Sequence, residues 1–441
     1  MFTATVVISF LSFIALGLPD GLLGVAWPSL RGDFGRPLGA IAFLLASSSI
    51  GYLASSTSIG RIVRSAGLPN AIVGGGASIA AGLALVSGTP WWWLLMPGYF
   101  LIGVGGGLVD AGFNAYAADH FDATTMNWMH ACFGIGATAG PALMTFSLVQ
   151  TGSWRPAYGT SAVFLLVVTL LIVRFRHRIS SRGIRDRADG ETADPTKLPT
   201  EGIAAPPGHD LPASETLEPD GTDGGMTSLA ADDPATGLST AGSDRPSWFL
   251  TWGGVVVFFF YTGIEVSAGQ LGFTLLVEGR GVDPIQAGFW VSAFWLSLTA
   301  GRILLGPLSH RAGSRIVLKG AFVLAAIAAL ILMMGLHPTL DGLSLALLGF
   351  ALAPIFPLLV LLTPERVGAE RAHDVIGFQM GAATMGVVVL AGGGGALAGR
   401  LGVAVVGPYI LALALLCGGM YTAVTLVQAR RSGMSRSEVS Q

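Results

Sequence analysis

Long apolar runs separated by short polar stretches dominate the sequence. A helix needs about 20 apolar residues to cross a bilayer, and twelve runs meet that length. Six lie near residues 4–30, 38–60, 70–88, 93–118, 126–150 and 157–174, and six more near 248–276, 284–306, 316–336, 339–363, 376–399 and 404–427. The pattern predicts an all-α membrane protein in which twelve transmembrane helices form two six-helix bundles.

Composition supports insertion in a lipid bilayer. The chain is 52% hydrophobic and only 11% charged, whereas soluble domains carry about 25% charged residues. Half of the 26 acidic residues fall in the gap between the two sets, residues 180–246, which is also rich in Pro, Gly, Ser and Thr. Such a segment cannot bury enough apolar surface to fold. We expect bundles over residues 1–179 and 247–427, a disordered linker over 180–246 and a tail over 428–441.

The two halves repeat with an offset of about 246 residues. Asp20 and Gly24 in the first span correspond to Glu265 and Gly269 in the seventh. Two homologous halves are typical of transporters that alternate the access of one central site between the two membrane faces. Arg and Lys concentrate in the connections on the side of the termini, so the positive-inside rule predicts cytoplasmic termini and a plasma-membrane protein.

Carboxylates inside the spans are the candidate chemistry. The fourth span contains the stretch GVGGGLVDAGFN, in which Gly103, Gly107, Asp110 and Asn114 share one helical face. Asp20 follows Pro19 in the first span. A carboxyl group at membrane depth is costly and marks ion or substrate pathways. We predict that Asp20 and Asp110 carry protons; the alternatives are a structural hydrogen bond for Asp110 and capping of freed backbone amides for Asp20.

Other polar or aromatic residues in the spans are candidates for substrate binding, with local hydrogen bonding or packing as their alternatives. They are Asn114, Asn127, His130, Glu265, Gln379 and Trp27. Residues near the inner ends of the spans are candidates for gating: Arg61, Arg64, Arg302, His310 and Arg311.

Across nearly its whole length, the linker excepted, the chain resembles the major facilitator superfamily. That superfamily has a loop of the form G-x-x-x-D-R-x-G-R between spans two and three. Here Gly60 and Gly67 remain, but Arg64 stands where the Asp is expected, and His310 does so in the second half. The resemblance implies the major facilitator fold, a monomer and a small-molecule substrate.

Within the superfamily, the chain is most similar to the fucose–galactose–glucose:proton symporter group. The features that match are Asp20 in span one, Asp110 with Asn114 in span four, Asn127 with His130 in span five, and the run Leu348–Pro357. In that group the two acids carry proton coupling and sugar binding. The resemblance implies the same roles for Asp20 and Asp110, although Asp and His replace the group's usual Glu and Gln.

The leading hypothesis is therefore proton-coupled uptake of a small polar solute, a sugar or polyol, with sodium as an alternative coupling ion. A second is export of drug-like or metabolite compounds by proton antiport, since Gly136-x3-Gly140-Pro141 resembles half of an antiporter motif. A third is a membrane sensor or scaffold. The sequence has no nucleophile–base pair, metal-ligand spacing or basic tract with interleaved aromatics. We expect no enzyme activity, cofactor, metal or nucleic-acid partner.

Overall fold

The computed structural model describes residues 4–178 and 248–438, and within those ranges the chain is helical with no strand. The helices of the first half are α1 (Ala4–Asp33), α2 (Ile41–Ala66), α3 (Leu68–Gly88), α4 (Leu95–His120), α5 (Ala123–Thr151) and α6 (Arg155–Phe175). Those of the second half are α7 (Trp248–Thr274), α8 (Pro284–Ala312), α9 (Ser314–Met334), α10 (Pro338–Leu352), α11 (Ile355–Leu361), α12 (Thr363–Val367), α13 (Ala369–Leu401) and α14 (Val406–Glu438).

Twelve segments in the described residues are long and apolar enough to cross a membrane. Helices α10 and α11 together form the tenth, Pro338–Leu361. The prediction of an all-α membrane protein with twelve spans is confirmed. The predicted linker, 180–246, lies outside the described residues, and the bundle boundaries remain predictions.

The two halves pack their helices by the same scheme. In the first half, α1 lies against α5 and α6, α2 against α4, and α3 against α4 and α6. In the second half, α7 lies against α13 and α14, α8 against α10, and α9 against α10 and α14. The repeat in the sequence is therefore a repeat in the fold, and it gives two pseudo-symmetric six-helix bundles.

In the described residues, the most extensive contacts between the bundles are made by three helix pairs: α1 with α7, α2 with α13, and α5 with α8. Small residues allow these helices to approach closely. A Cβ on Gly24 of α1 would collide with the backbone of Gly269 and Gln270 on α7, and a Cβ on Gly392 of α13 would collide with Ala42 of α2. Both helix pairs are thus closely packed where the two halves meet.

Caps and prolines set the limits of several helices. Asp122 caps α5 by accepting a hydrogen bond from the Thr125 amide at 2.7 Å, and hydrogen bonds from the Thr125 side chain and amide hold the pKa of the Asp122 carboxyl below its usual range. Asp283 caps α8 in the same way. Helix α1 continues unbroken through Pro19 and Pro28, whereas the tenth span is interrupted at Pro354. The break separates α10 from α11 near the bundle interior.

Candidate functional site

Asp110, halfway along a spanning helix, is held by two side-chain donors. Its Oδ2 accepts a hydrogen bond from the Tyr52 hydroxyl at 2.6 Å, and its Oδ1 accepts one from Asn114 Nδ2 at 2.9 Å. Asp110 is half-buried and Tyr52 is exposed, although both lie within apolar spans. The carboxyl group is therefore oriented by its neighbours and also open to a space beside α2 and α4.

Glycines on α4 explain why Tyr52 reaches Asp110. A Cβ on Gly103 would collide with the Ser48 backbone, and one on Gly107 would collide with Ser55 and the Tyr52 carbonyl. The glycine face predicted beside Asp110 thus packs directly against α2, and this close packing brings the Tyr52 hydroxyl to the carboxylate. The glycines contribute to the site by fixing helix separation; they do not line a pathway themselves.

Asp20 lies near the middle of α1, where α1 is surrounded by α4, α5, α6, α7 and α8. Its side chain is nevertheless exposed, so it faces an internal space rather than a packed interface. Its backbone carbonyl accepts a hydrogen bond of 3.0 Å from Gln270 Nε2 of the other bundle. Its carboxyl group lies close enough to Glu265 and Tyr52 for their charges to interact.

Across the same space, α7 and α8 contribute a cluster of their own. Arg302 Nη2 lies 3.7 Å from Glu265 Oε1. The Tyr261 hydroxyl, one turn before Glu265, donates a short hydrogen bond to Glu265 Oε2 and also interacts with Arg302. Phe356, just after the break in the tenth span, packs against the Tyr261 ring at 6.1 Å between centroids. Phe356 of the broken span thus packs against the ring whose hydroxyl contacts Glu265.

His130 on α5 lies between the two groups. Its side chain is exposed and its ring meets the Phe13 ring edge-on, with centroids 5.4 Å apart. It interacts electrostatically with Asp110 of the first half and with Arg302 of the second. We call the set that these interactions connect the central cluster: Asp20, Tyr52, Asp110, Asn114, His130, Tyr261, Glu265 and Arg302.

Three residues expected in substrate binding are not brought into this set. Trp27 is fully buried; its indole Nε1 donates to the Leu38 carbonyl at 3.0 Å, which places it in the packing of the first bundle. Gln379 is 2% exposed and bonds to Thr363 Oγ1, so its amide is used within the second bundle. Asn127 is exposed one turn before His130, and in the described residues no hydrogen bond joins it to the cluster.

The residues expected to take part in gating differ in their surroundings. Arg61 and Arg64 are exposed in the last turns of α2, and Arg311 is exposed at the end of α8. His310 lies on α8, and its side chain is outside what the structure describes. Arg302 lies near the end of its span, and its guanidinium turns to Glu265 on α7. The opposite charge of Glu265 is the physical reason.

Sequence reasoning missed Tyr52 and the pairing of Arg302 with Glu265. The signal for Tyr52 was the small-residue spacing of α4 facing Gly51 and Ser55 on α2, which indicates two helices in close contact. No comparable signal marked Arg302, because its partner lies 37 positions earlier on a different helix.

The cluster can exchange protons and form hydrogen bonds with a polar solute. Three carboxyl groups, a histidine and two tyrosine hydroxyls belong to the central cluster, and carboxyl and imidazole groups are the usual proton carriers. In the described ranges, no group of three or more His, Cys, Asp or Glu side chains could hold a metal ion.

Comparisons with known proteins place this geometry in context. The family pattern described as Major Facilitator Superfamily matches residues 6–391. No curated protein matches the sequence. Among solved structures, the fold is similar to a mutant of the nucleoside transporter NupG, with 12% identity and a TM-score of 0.66, covering 96% of this chain and 100% of that one. It is also similar to a mutant of the peptide transporter POT bound to alafosfalin, with 13% identity and a TM-score of 0.63, covering 95% of this chain and 94% of that one.

Proposed function

Because the chain belongs to the major facilitator superfamily, we propose that it is a secondary active transporter that moves a small polar solute across the plasma membrane, coupled to protons. Asp20 and Asp110 are the proposed proton carriers. The observation that supports this most is the Asp110 site, where a carboxyl group at membrane depth is oriented by Tyr52 and Asn114 yet borders an open space. A purely structural carboxylate would be enclosed by its partners.

The proposed substrate is a sugar or polyol. Hydroxyl groups both donate and accept hydrogen bonds, and the central cluster offers acceptors at Asp20, Asp110 and the Tyr52 hydroxyl oxygen and a donor at the second Nδ2 hydrogen of Asn114. Such a site alternates between the two faces when the two bundles rock against each other around it. We propose that the transporter works in this way as a monomer.

Polar contacts between the bundles indicate which state the structure represents. At the ends of α1 and α7 away from the termini, Arg31 Nη2 lies 2.7 Å from both carboxylate oxygens of Glu278. Deeper in, Gln270 bonds to the Asp20 carbonyl. With cytoplasmic termini, as proposed from the distribution of basic residues, this ion pair closes the outer end, and the state is inward-facing.

The test is the movement of protons with solute. Cells or unbuffered proteoliposomes containing the protein are given candidate sugars and polyols, and the external pH is recorded. We expect one solute to make the outside medium more alkaline, and we expect Asp110→Asn to abolish that response. Alkalinisation that is unchanged in Asp110→Asn would remove Asp110 from the coupling role. A response that requires sodium instead of a pH gradient would replace the proton as coupling ion. Efflux of lipophilic cations driven by inward protons would replace uptake with export.

A further inference from the structure

Arg302 belongs to the central cluster, but the proposed proton coupling gives it no role. It lies on a spanning helix, and 40% of its side chain is exposed. A guanidinium at membrane depth is costly and is retained mainly where it faces a substrate or ion pathway. Its charge and its position beside the internal space therefore need an explanation beyond helix packing.

The contact between Arg302 and Glu265 is long for a charge-assisted hydrogen bond. The distance between Arg302 Nη2 and Glu265 Oε1 is 3.7 Å, compared with 2.7 Å for Arg31 and Glu278, 3.1 Å for Arg315 and Glu365, and 3.8 Å for Arg280 and Asp341. The Arg302 guanidinium also interacts with the Tyr261 hydroxyl. Charge-assisted N–H···O bonds are typically about 2.7–2.9 Å. Glu265 thus offsets the charge of Arg302 without occupying the guanidinium fully, since one of its oxygens is engaged by Tyr261.

We infer that Arg302 binds a carboxylate group of the transported solute, so that the substrates are polyhydroxylated monocarboxylates, that is, sugar acids. The inference rests on the proposed function and narrows its substrate class. The planar guanidinium fork matches a carboxylate with two parallel hydrogen bonds. The hydroxyl groups of the same molecule would meet Asp110, Asn114 and Tyr52 across the space.

Charge balance favours one carboxylate over a phosphate group. The cluster holds three carboxyl groups, Asp20, Asp110 and Glu265, against Arg302. When Asp20 and Asp110 carry protons, as proposed for symport, Glu265 and Arg302 remain as one negative and one positive charge. A monoanion that replaces Glu265 at the guanidinium then adds a single charge, whereas a phosphate group adds nearly two beside Glu265.

The experiment uses the full chain in proteoliposomes and probes that differ in one group. D-glucose and myo-inositol are the neutral probes, D-gluconate and D-glucuronate carry a carboxylate, and D-glucose 6-phosphate carries a phosphate. The variants are Arg302→Gln, Arg302→Lys and the control Arg315→Gln, which removes an exposed arginine of the same bundle. Initial uptake rates and external pH are measured, and thermal unfolding of each purified variant confirms that it is folded.

We expect the carboxylate probes to be taken up with alkalinisation. Arg302→Gln should raise their half-saturating concentration by about tenfold or more, the loss typical of a charge-assisted pair. Arg302→Lys should recover only part of the lost affinity, and Arg315→Gln should have the affinity of the wild type. As a second variant, Glu265→Gln should lower the half-saturating concentration of D-gluconate, because it removes the carboxylate that competes for Arg302.

Preferred uptake of neutral probes, with affinity unchanged in Arg302→Gln, would overturn the inference and leave the proposed function standing. Preference for the phosphate probe, or a higher half-saturating concentration in Glu265→Gln, would also overturn it. If no probe moves protons with it, the proposed function fails together with this inference.

Discussion

The two bundles share one helix-packing scheme but bring different side chains to the space between them. In the first half, Asp110 on α4 is bonded by Tyr52 and Asn114 and has no basic partner among its hydrogen bonds in the described residues. In the second half, Glu265 on α7 faces a full positive charge on Arg302. A carboxyl group held by neutral donors can bind or release a proton without breaking an ion pair, whereas protonation of one paired with a guanidinium removes the attraction of the pair.

The offset of the repeat shows which positions of the two halves correspond. At about 246 residues, the position of Asp110 corresponds to Phe356 and that of Arg302 to Ser56. Phe356 is an aromatic support for Tyr261, so the second half has packing where the first half has an acid. From this comparison we propose a division of labour: the first half carries protons, and the second half recognises the charge of the solute.

The largest effect is expected at Asp110. Asp110→Asn should abolish accumulation above the outside concentration, because the amide keeps the bonding geometry but cannot exchange a proton. A potential of 100 mV supplies about 2.3 kcal/mol per charge, enough for accumulation of roughly 50-fold. Uptake of radiolabelled solute into proteoliposomes with an imposed potential measures this accumulation. Full accumulation in the variant would contradict the role of Asp110.

Tyr52→Phe should have the next largest effect. It removes a hydrogen bond to a carboxylate, an interaction of about 1.5–3 kcal/mol, and we expect the rate of coupled uptake to fall by about tenfold. The control is Tyr409→Phe, which removes a hydroxyl bonded to the Leu390 carbonyl in the second half. An equal loss of initial uptake rate in both variants would indicate a general packing effect instead.

Glu265→Gln should change affinity and spare coupling. The substitution removes the negative charge beside Arg302 while keeping the shape, so we expect the half-saturating solute concentration to shift by several-fold with accumulation intact. Concentration-dependent uptake and accumulation are measured on the same vesicles. Wild-type affinity and rate would return Glu265 to a structural role, and loss of accumulation would place coupling in both halves.

The ion pair at the outer end should give the smallest effect. Arg31 and Glu278 are 25% and 30% exposed, and such pairs contribute about 0.2–1 kcal/mol. Arg31→Glu should therefore shift the balance of states by up to about fivefold towards outer opening, and the exchange Arg31→Glu with Glu278→Arg should restore it. Distances between spin labels on the α1–α2 and α7–α8 connections measure the shift. A distance distribution unaffected by either variant would exclude a closing role.

The fold was predictable because its signal is local. Each span is a continuous apolar run, and its length alone predicts a crossing helix. Asp20 and Asp110 were also predictable, since a carboxyl group in such a run is rare. Tyr52 and Arg302 were harder, because their roles depend on which helices touch and on how far a long side chain reaches. Trp27 and Gln379 looked like binding residues in sequence, but tertiary packing uses their polar atoms within single bundles.

Exchange and accumulation measured in the same vesicles test the division of labour most directly. Asp110→Asn and Glu265→Gln are compared in equilibrium exchange, which needs no net proton movement, and in proton-driven accumulation. We predict that Asp110→Asn retains exchange and loses accumulation, while Glu265→Gln retains both with an altered half-saturating concentration. Accumulation that survives in Asp110→Asn and disappears in Glu265→Gln would place proton coupling in the second half and contradict the account.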